Sequence, residues 1–249
     1  MNITYSFFIT FLAGFATMLG IIVIFLPGNN KNKIISSSLS FASGVMICVS
    51  LTDLIPESLT MLTTKYNYIA SILIFLVFLC VGIISSMSID KYMPENKENN
   101  SKLFRVGIIS MLAIILHNIP EGIATFMASS INTKLGISLA IAIAMHNIPE
   151  GISISVPIFY STKSKRKAFL YTLISALSEP FGALLAFLFL RRFITNSFMG
   201  ILFAFIAGIM MYISIYELLK EAKQYKEKTL SPIFFVIGII FMFINHFLF

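Results

Sequence analysis

The sequence predicts an all-α membrane protein with eight transmembrane helices, and three observations support that fold class. Of 249 residues, 57% are hydrophobic and 12% are charged, whereas soluble domains are about half apolar and a quarter charged. The apolar residues also form separate runs, each long enough, at about 20 residues, to cross a bilayer as a helix. The predicted spans are roughly residues 3–26, 34–62, 68–90, 103–129, 134–160, 167–190, 197–221 and 231–248. We treat residues 1–249 as a single polytopic domain.

The third observation is the placement of the basic residues, which give a net charge of +7. Fourteen of the 18 lysines and arginines lie in or beside the odd-numbered loops, and four lie in or beside the even-numbered loops. By the positive-inside rule, this asymmetry predicts cytoplasmic odd-numbered loops and both termini on the outer side. The basic charge therefore encodes topology in the cell membrane, and it does not indicate a nucleic-acid partner.

The first and third spans are almost purely apolar. The first has no ionisable group, and Gly14 and Gly20 suit close helix packing. It is too long for a secretory signal and lacks a basic start, so we expect it to be retained. The third span is apolar until Asp90, which we expect at the membrane edge.

The second span carries two acidic side chains. Asp53 and Glu57 are four residues apart, with Pro56 between them, so a helix places both acids on one face. Because this span runs from inside to outside in the predicted topology, we expect the two carboxylates at the outer mouth of a pathway.

The fourth and fifth spans contain the same heptapeptide, HNIPEGI, which begins at His117 in one and at His146 in the other. Glu121 and Glu150 follow the histidines by four residues, so each His–Glu pair shares a helix face. The proline between them cannot donate to the helix ladder and tends to kink the helix. Imidazole, carboxamide and carboxylate groups are costly in lipid, and they indicate a site that coordinates a ligand.

The sixth and eighth spans contain fewer polar groups. Glu179 lies about halfway along the sixth span, directly before a proline, and Arg191 and Arg192 close this span on the outer side. The eighth span is apolar apart from Asn245 and His246 near its outer end. We interpret His246 as an interfacial residue.

An internal repeat relates the second span to the seventh. Residues 41–58 and 205–222 align without a gap, and FASGVM at the start of the first segment corresponds to FIAGIM at the start of the second. The acidic residues coincide, Asp53 with Glu217 and Glu57 with Glu221. Because the two spans run in opposite directions, as do the two heptapeptides, the chain has the inverted repeat that is typical of secondary transporters. We expect Glu217 and Glu221 at the inner mouth.

The chemistry of the central residues favours a divalent transition metal. At 1.5 Å per residue, both His–Glu pairs and Glu179 fall at one level near the bilayer middle. Three carboxylates so close together repel one another unless a cation neutralises them. Imidazole with carboxylate suits Zn²⁺, and also Fe²⁺, Mn²⁺, Co²⁺ or Cd²⁺. The absence of thiolates suits a site that releases its ion.

These residues carry a resemblance. The two HNIPEG segments, the SEP of the sixth span and the FASGVM…DLIPES of the second resemble the ZIP (Zrt/Irt-like) metal transporters, particularly the prokaryotic zinc-uptake branch. The resemblance covers all eight spans. It implies a homodimer in the cell membrane that takes up Zn²⁺. It also implies sliding of spans one, four, five and six against the other four.

The resemblance further implies a two-metal site. One half consists of His117, Glu121, His146 and Glu150. The other half consists of Asn118, Asn147 and Glu179, with Glu121 and Glu150 bridging the two ions.

Three departures from the family pattern and two alternatives bear on function. Asp53 stands where the family often has His or Glu, and Lys220 replaces a proline beside the inner acids. The cytoplasmic loop also lacks the histidine tract of many relatives. One alternative is a broad-range or Fe²⁺/Mn²⁺-preferring carrier. The other is an intramembrane metal-dependent hydrolase, although the HExxH sequence of intramembrane zinc proteases is absent.

Overall fold

The computed structural model describes residues 3–26, 30–92, 99–190 and 195–248. Within these ranges eight helices are long and apolar enough to cross a membrane, and no strand is present. They are α1 (Ile3–Phe25), α2 (Lys31–Thr63), α3 (Tyr68–Lys91), α4 (Lys102–Ile131), α5 (Thr133–Thr162), α6 (Lys165–Leu188), α7 (Asn196–Gln224) and α8 (Leu230–Leu248). The all-α fold with eight spans is confirmed. The outer placement of both termini stays a prediction, and Arg191 and Arg192 lie outside the described residues.

Short polar connections define where several helices begin. The side chain of Asn132 accepts hydrogen bonds from the backbone N–H groups of Lys134 and Leu135 at 3.0 and 3.3 Å, and Ser164 caps α6 in the same way. Such caps satisfy N–H groups that have no partner in the first helical turn. Because Asn132 alone connects α4 to α5, these helices form an antiparallel hairpin, which brings the two heptapeptides together.

Pairs of glycines set the closest helix contacts. A Cβ at Gly44 of α2 would collide with the carbonyl of Phe235 in α8, and a Cβ at Gly238 of α8 would collide with the carbonyl of Phe41 in α2. Gly82 of α3 and Gly208 of α7 make the same kind of contact, because a Cβ at either one would collide with a backbone carbonyl of the other helix. These backbones pack at a distance that no side chain permits.

The same arrangement recurs around the heptapeptides. Gly151 of α5 packs on the backbone of α1 at Thr17, while Gly20 of α1 packs on α5. Gly122 of α4 packs on the Glu179 carbonyl in α6, while Gly182 of α6 packs on α4. The closest contacts therefore join α1 to α5 and α4 to α6 in one group, and α2 to α8 and α3 to α7 in the other.

The backbone departs from α-helical geometry at equivalent places in α2 and α7. A π-helical segment spans Ser50–Leu54 in α2, and another spans Ile213–Leu219 in α7. The first contains Asp53 and the second contains Glu217, which coincide in the repeat. By contrast, the helices continue through both heptapeptide prolines. A third π-helical segment, Ala186–Leu190 at the end of α6, and a 3₁₀ segment, Ala16–Phe25 in α1, contain no acid. Irregular backbone therefore accompanies both acidic positions but is not confined to them.

The outer surface of the helix bundle is apolar. Large side chains such as Phe8, Ile69, Ile84 and Val236 are about half exposed or more. Apolar side chains on the outside and polar side chains inside are the distribution expected of a protein that is dissolved in lipid. The candidate site accordingly lies in the interior of the bundle.

Candidate metal centre

Two histidines and two glutamates meet between the middles of α4 and α5. The Nε2 atom of His117 lies 3.0 Å from Glu121 Oε1 and 3.6 Å from Glu150 Oε1. The Nε2 atom of His146 lies 3.1 Å from the same Glu121 oxygen. We call these four residues the central cluster. Ligand atoms of His117, Glu121 and His146 all lie within 4.8 Å of one another.

These spacings suit a tetrahedral transition-metal ion. With metal–ligand bonds of about 2.0–2.1 Å, two ligand atoms of a tetrahedral zinc site are separated by about 3.3–3.4 Å. The three His–Glu separations in the central cluster, 3.0, 3.1 and 3.6 Å, bracket that value. Small side-chain rotations would therefore convert the contacts into coordination bonds.

A second polar group adjoins the cluster on α5 and α6. The Asn147 amide donates hydrogen bonds to Glu179 Oε2 at 2.8 Å and to the carbonyl of Ala13 in α1 at 2.9 Å. Glu179 packs between α1 and α4. A Cβ added at Gly14 of α1 would lie 3.0 Å from its Oε2, and a Cβ added at Gly122 of α4 would collide with its backbone carbonyl. Asn118 is fully buried and makes no side-chain hydrogen bond.

The central polar side chains are buried and incompletely paired. All seven residues predicted from the sequence are between 0 and 7% exposed. Atoms without a hydrogen-bond partner are His117 Nδ1, both amide atoms of Asn118, Glu121 Oε2, His146 Nδ1, Asn147 Oδ1, Glu150 Oε2 and Glu179 Oε1. Buried polar atoms are normally paired, so this concentration of unpaired atoms, most of them oxygens or imidazole nitrogens, indicates a site built for a cation.

One cavity leads from the surface to the central cluster. It has a volume of about 510 Å³, and its lining includes Asp53 and Glu57 of α2 as well as Glu121 and His146. We call it the Asp53 cavity. Both acids predicted at the outer mouth thus share a cavity with two residues of the central cluster.

The same cavity contains a residue whose environment the sequence did not predict. His246 of α8 does not simply face the interface, because its Nδ1 lies 2.7 Å from Asp53 Oδ1. Its neighbour Asn245 also lines the cavity. One signal was available, since α2 carries its two acidic residues, and α8 its histidine, toward the predicted outer ends.

A second cavity, of about 390 Å³, lies near the basic loops and contains Glu217 and Glu221. We call it the Asp90 cavity, after an acid that the sequence placed only at the membrane edge. Asp90 is paired with Arg105 of α4 and accepts a hydrogen bond from the Tyr212 hydroxyl of α7 at 3.2 Å. The lining also contains Lys220, so the inner acids lie among positive charges.

Buried apolar side chains separate the two cavities. On α4, Val106 lines the Asp90 cavity and Glu121 lines the Asp53 cavity, with Ala113 and Ile114 buried between them. On α7, Phe203 lines the Asp53 cavity and Tyr216 lines the Asp90 cavity, and Met210 is buried between them. At 1.5 Å per residue, the closed part of α4 is about 20 Å long. The Asp53 cavity therefore reaches the central cluster, whereas the Asp90 cavity does not.

Comparison with known proteins assigns the chain to a family. Residues 94–246 match the family model described as ZIP Zinc transporter. A protein from Chlorobaculum parvum named Zinc transporter ZupT is 40% identical over 268 residues, which cover 100% of this chain and 98% of the relative. Proteins of that name from Lysinibacillus sphaericus and Clostridium perfringens are 41% and 37% identical, over 98% and 100% of this chain and 97% of each relative. The chain therefore belongs to the ZIP family, and it is a multi-pass membrane transporter rather than an enzyme.

Proposed function

We propose that this protein takes up divalent transition-metal ions, Zn²⁺ foremost, across the cell membrane toward the cytoplasm. The observation that carries the proposal is the central cluster itself. It combines buried imidazole and carboxylate donors at metal-ligand spacing with a cavity that reaches them from one side. The relatives from three bacterial genera, each named a zinc transporter, support Zn²⁺ as the substrate.

The donor set explains why the ion is a transition metal that can leave again. Mg²⁺ and Ca²⁺ prefer oxygen ligands alone, whereas His with Glu suits Zn²⁺, Fe²⁺, Mn²⁺, Co²⁺ and Cd²⁺. No thiolate is present in the cluster, so binding is weak enough for turnover. A broad-range or Fe²⁺/Mn²⁺-preferring carrier uses the same donors, and only a transport assay separates these substrates.

We place two ions at the site. His117, Glu121, His146 and Glu150 hold the first, and Asn118, Asn147 and Glu179 hold the second, with Glu121 and Glu150 bridging. Two features favour the second half. The Asn147 amide nitrogen is fixed by two hydrogen bonds while its Oδ1 is free. One oxygen of Glu179 is also free.

Transport requires that the cluster become accessible from the Asp90 side. In our proposal Asp53 and Glu57 attract the ion at the outer mouth, Glu217 and Glu221 assist release at the inner mouth, and α1, α4, α5 and α6 slide against the other four helices. The glycine contacts support this division, because each joins helices within one group. We further propose that two copies form a homodimer with the termini outside.

Uptake by the purified protein in liposomes tests the function. Zn²⁺, Fe²⁺, Mn²⁺ and Cd²⁺ are supplied separately, with the membrane potential and the pH gradient set independently. We expect Zn²⁺ uptake by the wild type and none by Glu121→Ala, because Glu121 contacts both imidazoles. Ile137→Ala, an exposed site on α5, is the matched control and should transport normally. Normal uptake by Glu121→Ala would contradict the proposal.

A further inference from the structure

Metal-ligating side chains also meet outside the central cluster, at the mouth of the Asp53 cavity. His246 Nδ1 lies 2.7 Å from Asp53 Oδ1, and the two side chains are 42% and 33% exposed. Asp53 belongs to α2 and His246 to α8, so neither comes from the helices that carry the central cluster. An imidazole nitrogen and a carboxylate oxygen are the usual ligands of zinc at sites without thiolates.

Asn245 adds a third potential ligand. It is 3% exposed and lines the same cavity. Its amide nitrogen donates to the carbonyl of Ala142 at 3.2 Å, which fixes the side chain, while its Oδ1 atom is buried without a hydrogen-bond partner. Burying an oxygen of this kind without a partner is unfavourable, so the free Oδ1 is an independent indication of a ligand here.

We propose that Asp53, His246 and Asn245 form a capture site that binds a divalent transition-metal ion before it reaches the central cluster. The proposal rests on the proposed function, because it concerns the same ion on the same route. It adds a binding step and assigns ligands on α8, where the sequence indicated none. Glu57, which lines the same cavity, increases the negative charge that attracts the ion.

The geometry permits coordination with little movement. A tetrahedral ion needs the two donor atoms about 3.3–3.4 Å apart, and they lie 2.7 Å apart in the structure. Both side chains are partly exposed and can rotate apart, and water completes the coordination shell. An open site with water ligands exchanges its ion readily, which suits capture rather than storage.

The capture site lies within a single helix pair. Gly44 and Gly238 hold α2 and α8 in reciprocal backbone contact. The two helices therefore move as a unit, and the Asp53–His246 pair keeps its geometry while α4, α5 and α6 change position. Since the glycines already fasten these helices, the Asp53–His246 contact is not required for that purpose.

Chemical modification of His246 tests the binding step. The full-length protein is treated with diethyl pyrocarbonate, with and without micromolar Zn²⁺, and each of the three histidines is quantified by peptide mass spectrometry. We expect Zn²⁺ to slow modification of His246 about tenfold in the wild type, and less than twofold in Asp53→Asn. Losing even a hydrogen-bonding partner of a metal ligand weakens metal binding about ten- to hundredfold, and Asp53 is proposed as a ligand. No protection in the wild type, or equal protection in Asp53→Asn, would overturn the proposal.

Transport kinetics test the role in capture. His246→Gln keeps a polar side chain beside Asp53 but removes the imidazole, and Ile244→Ala, at an exposed position on the same helix, is the matched control. We expect His246→Gln to raise the Zn²⁺ concentration for half-maximal uptake about tenfold while the maximal rate is retained. Wild-type kinetics in His246→Gln would reject the capture site yet leave the proposed function intact. Absence of uptake by the wild type would instead reject the proposed function.

Discussion

The Asp53 cavity and the Asp90 cavity are built from equivalent parts of the repeat but differ in depth. Each contains an acid on a π-helical segment, Asp53 in α2 and Glu217 in α7. The Asp53 cavity extends to Glu121 and His146 of the central cluster, whereas buried apolar side chains close the Asp90 cavity. Similar sequence therefore does not produce similar access to the site.

This asymmetry has a mechanistic meaning in an inverted repeat. If the two halves can exchange conformations, a state that is open on one side implies an alternative state that is open on the other. In our proposal the central cluster serves both states, and each mouth serves one. Substitutions in the cluster should therefore have larger effects than substitutions at either mouth.

The largest effect is expected at the cluster. Glu150→Ala should abolish Zn²⁺ uptake, because Glu150 lies beside His117 and is proposed to contact both ions. His117→Ala should raise the half-saturating Zn²⁺ concentration about tenfold, since one ligand of several is lost. Liposome uptake over a wide Zn²⁺ range, with protein amount and monodispersity matched, measures both. Near-normal uptake by Glu150→Ala would contradict the assignment.

The two mouths should produce different kinetic defects. Asp53→Asn/Glu57→Gln should raise the half-saturating concentration about tenfold and retain the maximal rate, because it removes a ligand of the proposed capture site and lowers the local ion concentration. Glu217→Gln/Glu221→Gln should lower the maximal rate with little change in half-saturation, since it slows release. Identical defects in the two double variants would remove the functional distinction between the cavities.

The smallest effect is expected at the contact between Asp90 and Arg105, which joins α3 to α4 across the two helix groups. In our proposal this contact breaks when the Asp90 side opens. A partly exposed ion pair is worth about 1 kcal/mol, so Arg105→Ala should raise the population of the alternative state about fivefold. A cysteine at position 217 should then react faster with a polar thiol reagent. Lys102→Ala removes a charge from the same cavity and should leave that reaction rate unchanged.

Much of the fold and the centre of the site could be predicted from the sequence, because both depend on residues that are close together in the chain. Span positions follow from runs of apolar residues, and the i, i+4 spacing within each heptapeptide fixes which side chains share a helix face. Gly14 and Gly20, predicted at close contacts, pack against α6 and α5.

What the sequence did not predict depends on contacts between distant helices. Asp53 and His246 are 193 residues apart, and their contact depends on the register of α2 against α8. Asp90 and Arg105 flank a polar loop, and apolar spans give no indication of which neighbour each will face. Hydrophobic periodicity predicts which face of a helix is buried but not which helix packs against it. Neither contact could therefore be predicted from the sequence.

The most direct measurement concerns the closed region between the cavities. Ala113 is 3% exposed there, and Ala113→Cys can be studied after replacing Cys48 and Cys80 by serine. We expect the cysteine to resist a membrane-impermeant thiol reagent from both sides without metal, and to react from the side of the basic loops while Zn²⁺ is transported. Adding Glu150→Ala should abolish this reaction. If Zn²⁺ uptake proceeds while the cysteine stays unreactive, or if it reacts equally without metal, alternating access to the central cluster is contradicted.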